Sequence, residues 1–502
     1  MSMVGSAARI DDGSRLRGDF IPQVPDDGER VDEPRKYAFS TNGNIFKNLF
    51  IYSFNMSPHA ESIRLRLSGG PQTARQLAEN MGISQPTVSR ALAELGDDLV
   101  RIGAARSIRY AMRDTVRGLP DIPIHRVDTE GRITLLGTLV PVRPDGFVMH
   151  QTDGATLHSE GLPWWLMDMR PQGFLGRAHA ARHGAALGLP ARLADWNDTH
   201  ALRALLAHGH DMVGNLLVGE AARDRFLSQP LPAPIADNDR AETYVRMAAE
   251  AAQGDAPGSS AGGEQPKFTA CAITPAGPRH VIVKFSEAED SPVSERWRDL
   301  LRAEHLALSV LREAGIPAAL TTLIDHGRQR FLQVERFDRV GPLGRRALLS
   351  LTALDAEFVG AAAEGWPVIA HRLARGRHIA PEAAAGASLL WAFGTLIGNT
   401  DMHGGNLSFV AEQGRPYALA PAYDMTPMAF APRSGGGLPD TVPEAVIHAS
   451  VAHDTWRQAE ALASIYLARV SSEGGFSARF APCVGALVNH LHTASARIAR
   501  LG

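Results

Sequence analysis

Apolar residues along this chain change period several times, and each change marks an element. Between Ser57 and Arg113 they recur every three or four residues and then alternate, which predicts helix, helix, turn, helix, hairpin. In TARQLAENMGISQPTVSRALAEL (73–95) Leu77 and Ala78 turn inward, Gly82 permits a turn and Ile83 plugs it. Ser84 then caps a helix that carries Pro86 in its first turn, where a missing amide proton costs little. Val88, Ala91, Leu92 and Leu95 form its buried face. Further on, RITLLGTLVPVRP and GFVMHQTDG read as strands, and LPWWLMDMRPQGFLGR places Trp164, Trp165 and Phe174 as core aromatics. ALRALLAHGHDMVGNLLVG reads as a helix followed by a strand. HVIVKF (280–285) alternates as a strand, and SERWRDLLRAEHLALSVLREAGIP is a long helix. RQRFLQVERFDRV is a strand running into a connector. ASLLWAFGTLIG (387–398) is a buried helix, well short of the roughly 20 apolar residues needed to cross a bilayer.

The first of these blocks leaves Gln85, Thr87, Ser89 and Arg90 facing outward on its last helix, and its hairpin carries Arg101, Arg106 and Arg109. Such side chains suit base edges in a major groove and the flanking phosphates. The segment resembles winged-helix regulators over about 55 residues; a helical adaptor for another protein has a similar apolar pattern, but turn, cap and basic hairpin together favour DNA.

Composition narrows the rest. The 502 residues, 44% of them hydrophobic, can bury more than one core. Lys and Arg total 51 against 54 Asp and Glu, so no global field draws the molecule to nucleic acid or membrane. Only Cys271 and Cys483 are present, without metal-ligand spacing, which argues against a disulfide scaffold or zinc module and points to the cytoplasm. His208 and His210 lie two apart without an obvious set of further ligands nearby, which argues against a metal site. The first 55 residues hold little apolar content apart from NIFKNLFIYSF and lack a signal peptide's order of segments, so we expect a disordered tail or an upstream extension, with the natural start near Met56.

Candidate chemistry lies in the second half. GDAPGSSAGGEQPKFTACAI (254–273) joins a Gly- and Ser-rich loop to a strand, so that backbone amides can approach phosphates and Lys267 can add a charge. It is not a Walker motif, and a plain linker has a similar composition. Lys284 near the end of the next strand is what α- and β-phosphates require in kinase-like sites. Glu304 shares a helix face with Leu300, Leu301 and Leu308; it is either a surface acid beside the apolar stripe or the buried partner of Lys284. Gln333 to Phe337 occupy the position of a hinge between two lobes and would border an adenine. In GNTDMHGGNLSF, Asp401 and Asn406 have the spacing of a kinase catalytic loop, and Asp424 in LAPAYDMTP can chelate the second magnesium ion. The arginine of HRD and the Phe-Gly of DFG are missing, which excludes an ordinary eukaryotic-type protein kinase.

SSAGGEQPKF, HVIVKF, VERFDR, GNTDMHGGNLSF and YDMTP, in that order, resemble the HipA-type serine/threonine kinase toxins of bacterial toxin–antitoxin systems over residues 120 to 500. The resemblance implies an α+β, two-lobed protein-kinase-like fold with a mostly helical C-terminal lobe. It implies that Lys284 contacts the phosphates of ATP, that Glu335 and Phe337 lie at the adenine, and that Asp401 is the catalytic base. Asn406 and Asp424 would bind Mg2+, and His403 and Tyr423 would line the nucleotide site. Ser260, with Ser259 as its neighbour, would be the autophosphorylated serine whose modification ejects the loop and switches the kinase off. The implied target is a protein of translation or replication, aminoacyl-tRNA synthetases being the kind known in the family. Fusion of the winged helix leaves open whether a separate antitoxin exists, and a homodimer is equally open. The expected division is a tail (1–56), a winged helix-turn-helix (57–115), an accessory scaffold (118–250), a kinase N-lobe (251–340) and a helical C-lobe (341–502). Two other readings remain: a regulator whose kinase-like part only senses nucleotide, and a metal-dependent nuclease using His403 beside Asp401 and Asn406. Retention of Lys284, Asp401, Asn406 and Asp424 together favours the kinase.

Overall fold

The computed structural model describes residues 56–104, 107–255 and 265–501. The N-terminal tail, Arg106, Ser259 and Ser260 therefore lie outside the described residues.

The front of the chain is a winged helix-turn-helix. Ser57 caps the helix Pro58–Leu67, and Thr73 with Gln76 forms a reciprocal capping box on Ala74–Met81. Gly82 closes that helix at φ 64°, a left-handed conformation that glycine adopts without a Cβ penalty. Ser84 caps the helix Gln85–Glu94. The helices bury Ile63, Leu67, Leu77, Val88, Leu92 and Leu95 together. The hairpin Leu99–Ile102 and Arg109–Met112 behaves differently from an exposed wing: Val100, Ile102 and Ala111 share a core with Val140, Val142 and Val148 of the following sheet. Backbone bonds from Asp114 N to Pro141 O (2.9 Å) and from Arg143 N to Met112 O (2.8 Å) fasten the same junction.

That following sheet is antiparallel, with strands in the order Thr156–Ser159, Gly146–Gln151, Ile133–Val142, Ile122–Val127 and Leu216–Val218. A second antiparallel sheet follows, ordered Thr321–His326, Gln329–Glu335, Gly277–Phe285 and Lys267–Thr274. Successive side chains of a strand point to opposite faces, and this decides what the second sheet does. Val281, Val283, Phe285 and Phe331 face one side, where Leu175, Ala178, Tyr244 and Ala248 cover them. Ile282, Lys284 and Val334 face the other, toward the cavity described below. The helices Gly173–His183 and Arg240–Glu250, which the sequence assigns to the accessory region, thus belong physically to the core of this sheet, and the expected division at 250 cuts through it.

The C-terminal part is mostly helical. Leu351–Phe358, Gly365–Arg375, Pro381–Leu396, His453–Ser472 and Ala481–Ile498 pack around Trp366, Phe393, Trp456 and Tyr466. Among the described residues no helix is long and apolar enough to cross a membrane. The architecture is a two-lobed, kinase-like α+β fold preceded by a winged helix-turn-helix.

Candidate active site

A cavity of about 580 Å³ opens between the second sheet and the helical lobe, and Lys267, Lys284, Glu304, Glu335 and Phe337 line it from the sheet side. Asp401, His403, Asn406, Tyr423 and Asp424 line it from the helical side. The strand pairing sets Lys267 directly opposite Lys284, so both amines lie on the cavity face.

Lys284 is the centre of this arrangement. Its Nζ donates to Glu304 at 2.7 and 2.9 Å and also to Asp424. Glu304 is completely buried on the long helix Pro292–Glu313, and Thr426 Oγ1 donates to it at 2.8 Å. Burial pulls the Lys284 amine down, but Asp424 and Glu304 more than reverse this and hold it above the ordinary lysine range. Burial raises the Glu304 carboxyl against the pull of Lys284, whereas Lys284 and Lys267 overcome burial at Asp424 and lower it. Two lysines, Lys284 and Lys267, meet three carboxylates here, Glu304, Asp401 and Asp424, which leaves excess negative charge beside Asp424.

The loop after Pro381–Leu396 is held by its own side chains. Gly398 turns at φ 75°, and the buried Asn399 accepts from Asp401 N at 3.0 Å while its amide donates to Asp424 O at 3.2 Å. Asn399 therefore ties the loop of Asp401 to that of Asp424, a role sequence reasoning missed although the residue stands in the quoted motif. Asn406 Nδ2 donates to Asp401 O at 2.8 Å, which leaves its side-chain oxygen available. Gly404 is required by close approach, since a Cβ there would meet Thr352 Oγ1 at 2.6 Å. Asp424 itself sits at φ 53°, rare for a residue other than glycine. Tyr423 OH donates to Gly405 O at 2.7 Å, and its ring lies 5.8 Å from that of Phe337. Removal from water raises the Asp401 carboxyl, His403 opposes this, and Asp424 adds to it, leaving it above the ordinary aspartate range.

Two expectations need correction. Gln333 does not border the cavity: it alternates to the other face, where its side-chain oxygen accepts from Tyr244 OH at 2.8 Å. The middle region is more than scaffold, because Met167, Asp168, Gln172, Gly173 and Val213 close one wall. Asp168 accepts from Ser350 N at 2.7 Å and from Ser350 Oγ at 2.6 Å, at the cap of Leu351–Phe358. An acid inside the apolar run WWLMDM is the signal that could have found it. The fold also brings His179 and His183 to His208, whose ring stacks on His183 at 3.8 Å, company that the sequence around His208 did not show. Among the described residues, no group of three or more His, Cys, Asp or Glu is placed to hold a metal.

On the far side of the hinge, Asp338 accepts from Arg336 at 2.8 and 2.9 Å and from Arg339 at 2.7 Å, all buried. Burial would raise this carboxyl, but Arg336 and then Arg339 bring it far below the ordinary range. A lowered folded value contributes stability above the unfolded pKa of about 3.9 that is lost as pH falls through the folded value. Asp338→Asn is expected to cost roughly 3–5 kcal/mol in urea denaturation at pH 7, with the gap to wild type closing toward strong acid. A gap that stays constant with pH would remove the ionic explanation.

Gln85, Ser89 and Arg90 are exposed on the helix Gln85–Glu94, and Arg101 and Arg109 on the hairpin. Thr87 is half-buried, with its hydroxyl 2.9 Å from the capping Ser84 Oγ, so it serves the helix start. None of these residues lines the cavity.

Three family models match the chain: the bacterial regulatory protein, arsR family, at residues 65–98, the YjjJ-like toxin, middle domain, at 119–227, and the HipA-like C-terminal domain at 259–489. Toxin YjjJ of Escherichia coli (strain K12) is 38% identical over 435 residues, spanning 86% of this chain and 98% of that protein. Among solved structures, HipA of Shewanella oneidensis MR-1, from a complex with HipB and operator DNA, aligns with a TM-score of 0.44 at 15% identity, over 76% of this chain and 97% of that one. The Helicobacter pylori proinflammatory kinase CtkA aligns with a TM-score of 0.35 at 13% identity, over 48% of this chain and 94% of that one.

Proposed function

Since the chain belongs to the HipA-type toxins, in the YjjJ-like form with an arsR-type helix-turn-helix in front, we propose that it is a protein serine/threonine kinase that also binds DNA. The observation that supports this most is the meeting of Lys284, Glu304, Asp401, Asn406 and Asp424 in one cavity from the two separate segments 284–304 and 401–424. Adenine lies between Val334, Glu335 and Phe337, with the phosphates toward Lys284 and Lys267. Asp401 aligns the incoming Ser or Thr hydroxyl and accepts its proton. Positioning and electrostatic stabilisation carry most of such catalysis.

The donor set fits magnesium: Asp424 and the Asn406 side-chain oxygen are hard oxygen ligands in a cavity with excess negative charge, and substrate phosphates complete such sites. Magnesium, when bound, neutralises charge on the phosphates. The acceptor is a serine or threonine of a protein in translation or replication, an aminoacyl-tRNA synthetase by the family resemblance, and Ser260 is the proposed site of autophosphorylation. Purified protein with radiolabelled ATP tests the activity: incorporation into protein is expected with magnesium and not without it, and no incorporation into the chain or into a cell extract would sink the reading. Phosphoproteomics of cells expressing wild type or the Asp401→Ala variant then identifies the target.

DNA binding rests on the arsR-type match and on Arg101 and Arg109, which stay exposed on the docked hairpin. Arg101→Ala is expected to weaken binding about equally on all sequences and to reduce the salt slope by about 1, read by fluorescence anisotropy across a salt series. A loss confined to one operator sequence would instead make Arg101 a base-reading residue.

A further inference from the structure

The second sheet carries another cavity on the same face as Lys284. It has a volume of about 210 Å³, and of the residues around the first cavity it shares only Arg336. Arg336, Arg339 and Arg345 converge on it, with His280, Thr269 and Cys271 from the sheet and Phe226 and Asp211 from the middle region. Three guanidiniums there meet two carboxylates. Asp338 is taken by Arg336 and Arg339, and Asp211 accepts from Arg339 at 2.9 Å.

Arg345 is the cation left over. Its nearest carboxylate oxygen, on Asp211, is 3.9 Å away. Its Nη2 donates to His210 O, its guanidinium lies 4.7 Å from the centre of the Phe226 ring, and its Nη1 is buried without a hydrogen-bond partner. Yet Arg345 is only 3% exposed. A buried charge is costly unless it is paired and hydrogen-bonded, and Arg345 bears that cost on a strand whose partner strand carries Arg339 directly opposite. Burial and then Arg339 push the Arg345 guanidinium down to about 9, so its charge is under strain from both. His280 Nε2 donates to Pro342 O at 3.0 Å, and burial lowers its pKa, so it adds no second uncompensated charge. A small anion would supply what Arg345 lacks, and guanidinium forks match the geometry of phosphate oxygens.

We propose that this cavity is a second binding site, for a phosphate group, with Arg345 as its principal ligand and Arg336 and Arg339 beside it. The cavity is too small for a nucleotide-sized ligand and large enough for inorganic phosphate or the phosphate end of a small monoester. Because Arg336 immediately follows Glu335 and borders both cavities, an occupied site would bear directly on the hinge.

The test is thermal unfolding of the full chain, titrated with inorganic phosphate and separately with glycerol 3-phosphate, at ionic strength held constant with potassium chloride. Wild type is expected to gain roughly 5 °C when phosphate reaches about 100 times its dissociation constant, and Arg345→Met to gain none. A local readout accompanies it: the rate at which a thiol reagent modifies Cys271, one of only two cysteines, is expected to fall several-fold with phosphate in wild type and to stay unchanged in Arg345→Lys, which keeps the charge but not the fork. Equal gain from the monoester identifies a metabolite class of ligand, and gain from inorganic phosphate alone identifies the free ion; both support the site. An equal phosphate-dependent rise in wild type and Arg345→Met, no rise in wild type, or no protection of Cys271, overturns it.

Discussion

Asp401→Ala is expected to reduce phosphate transfer from ATP by a factor of about 10³ or more, since both proton acceptance and alignment of the hydroxyl are lost. The same change should leave the fold as stable as before at neutral pH. The folded protein raises the Asp401 carboxyl, by removal from water and by Asp424 against the pull of His403. A raised acid contributes stability below its unfolded pKa and loses that contribution as pH rises through the folded value. At pH 7 the charged side chain is therefore a small burden on the fold, and its removal should leave the urea midpoint equal or slightly higher. The pH–rate profile follows from the same shift: the wild-type rate should climb with pH through a value above the ordinary aspartate range and then level off. Wild-type autophosphorylation in the alanine variant would refute the assignment of Asp401, and an acidic limb retained in that variant would assign the titration to another group.

Lys284→Met should be just as inactive but, unlike the change at Asp401, unstable. It removes the cation that Glu304 and Asp424 share and leaves Glu304 fully buried without its ionic partner. Breaking a buried pair in this way costs roughly 3–5 kcal/mol. Adding Glu304→Gln to Lys284→Met should return a large part of that stability and none of the activity, because the buried carboxyl left without a partner is then gone while the proposed phosphate contact is still missing. A double-mutant cycle in urea measures this directly. Additive losses of stability would mean that the two residues are not coupled in solution.

These contrasting outcomes mirror what was and was not legible in the chain. HVIVKF could be read as a strand because its alternation is local, and Glu304 was conspicuous as an acid on an apolar helix face. Spacing alone suggested that Asp401, Asn406 and Asp424 belong together, and the fold brings all three to one cavity. That Gln333 turns away from the cavity was not legible, because its orientation depends on the register that sets Lys284 opposite Leu332, a pairing between strands far apart in sequence. Asp168 lay hidden for a similar reason: the fold sets it on the cavity wall against Ser350, 182 residues away. The docking of the hairpin was visible in principle. Val100 and Ile102 alternate with Leu99 and Arg101, so the strand is apolar on a face that a free wing would leave to solvent. The arginine cluster was not visible, because Arg336, Arg339 and Arg345 read as an ordinary charged connector until the fold buries them.

The shared core of Val100, Ile102 and Ala111 with Val140, Val142 and Val148 fastens the hairpin, and through it the helix Gln85–Glu94, to the five-stranded sheet that follows. A reader on a slack tether would let the catalytic lobes point anywhere. On the proposed DNA binding, the bearing of the cavity around the duplex is set by which groove face the helix occupies. Shifting a bound site by one base pair turns the whole body by about 35° around the DNA axis, so for two molecules on one operator the number of intervening base pairs dictates whether their clefts face each other or point apart.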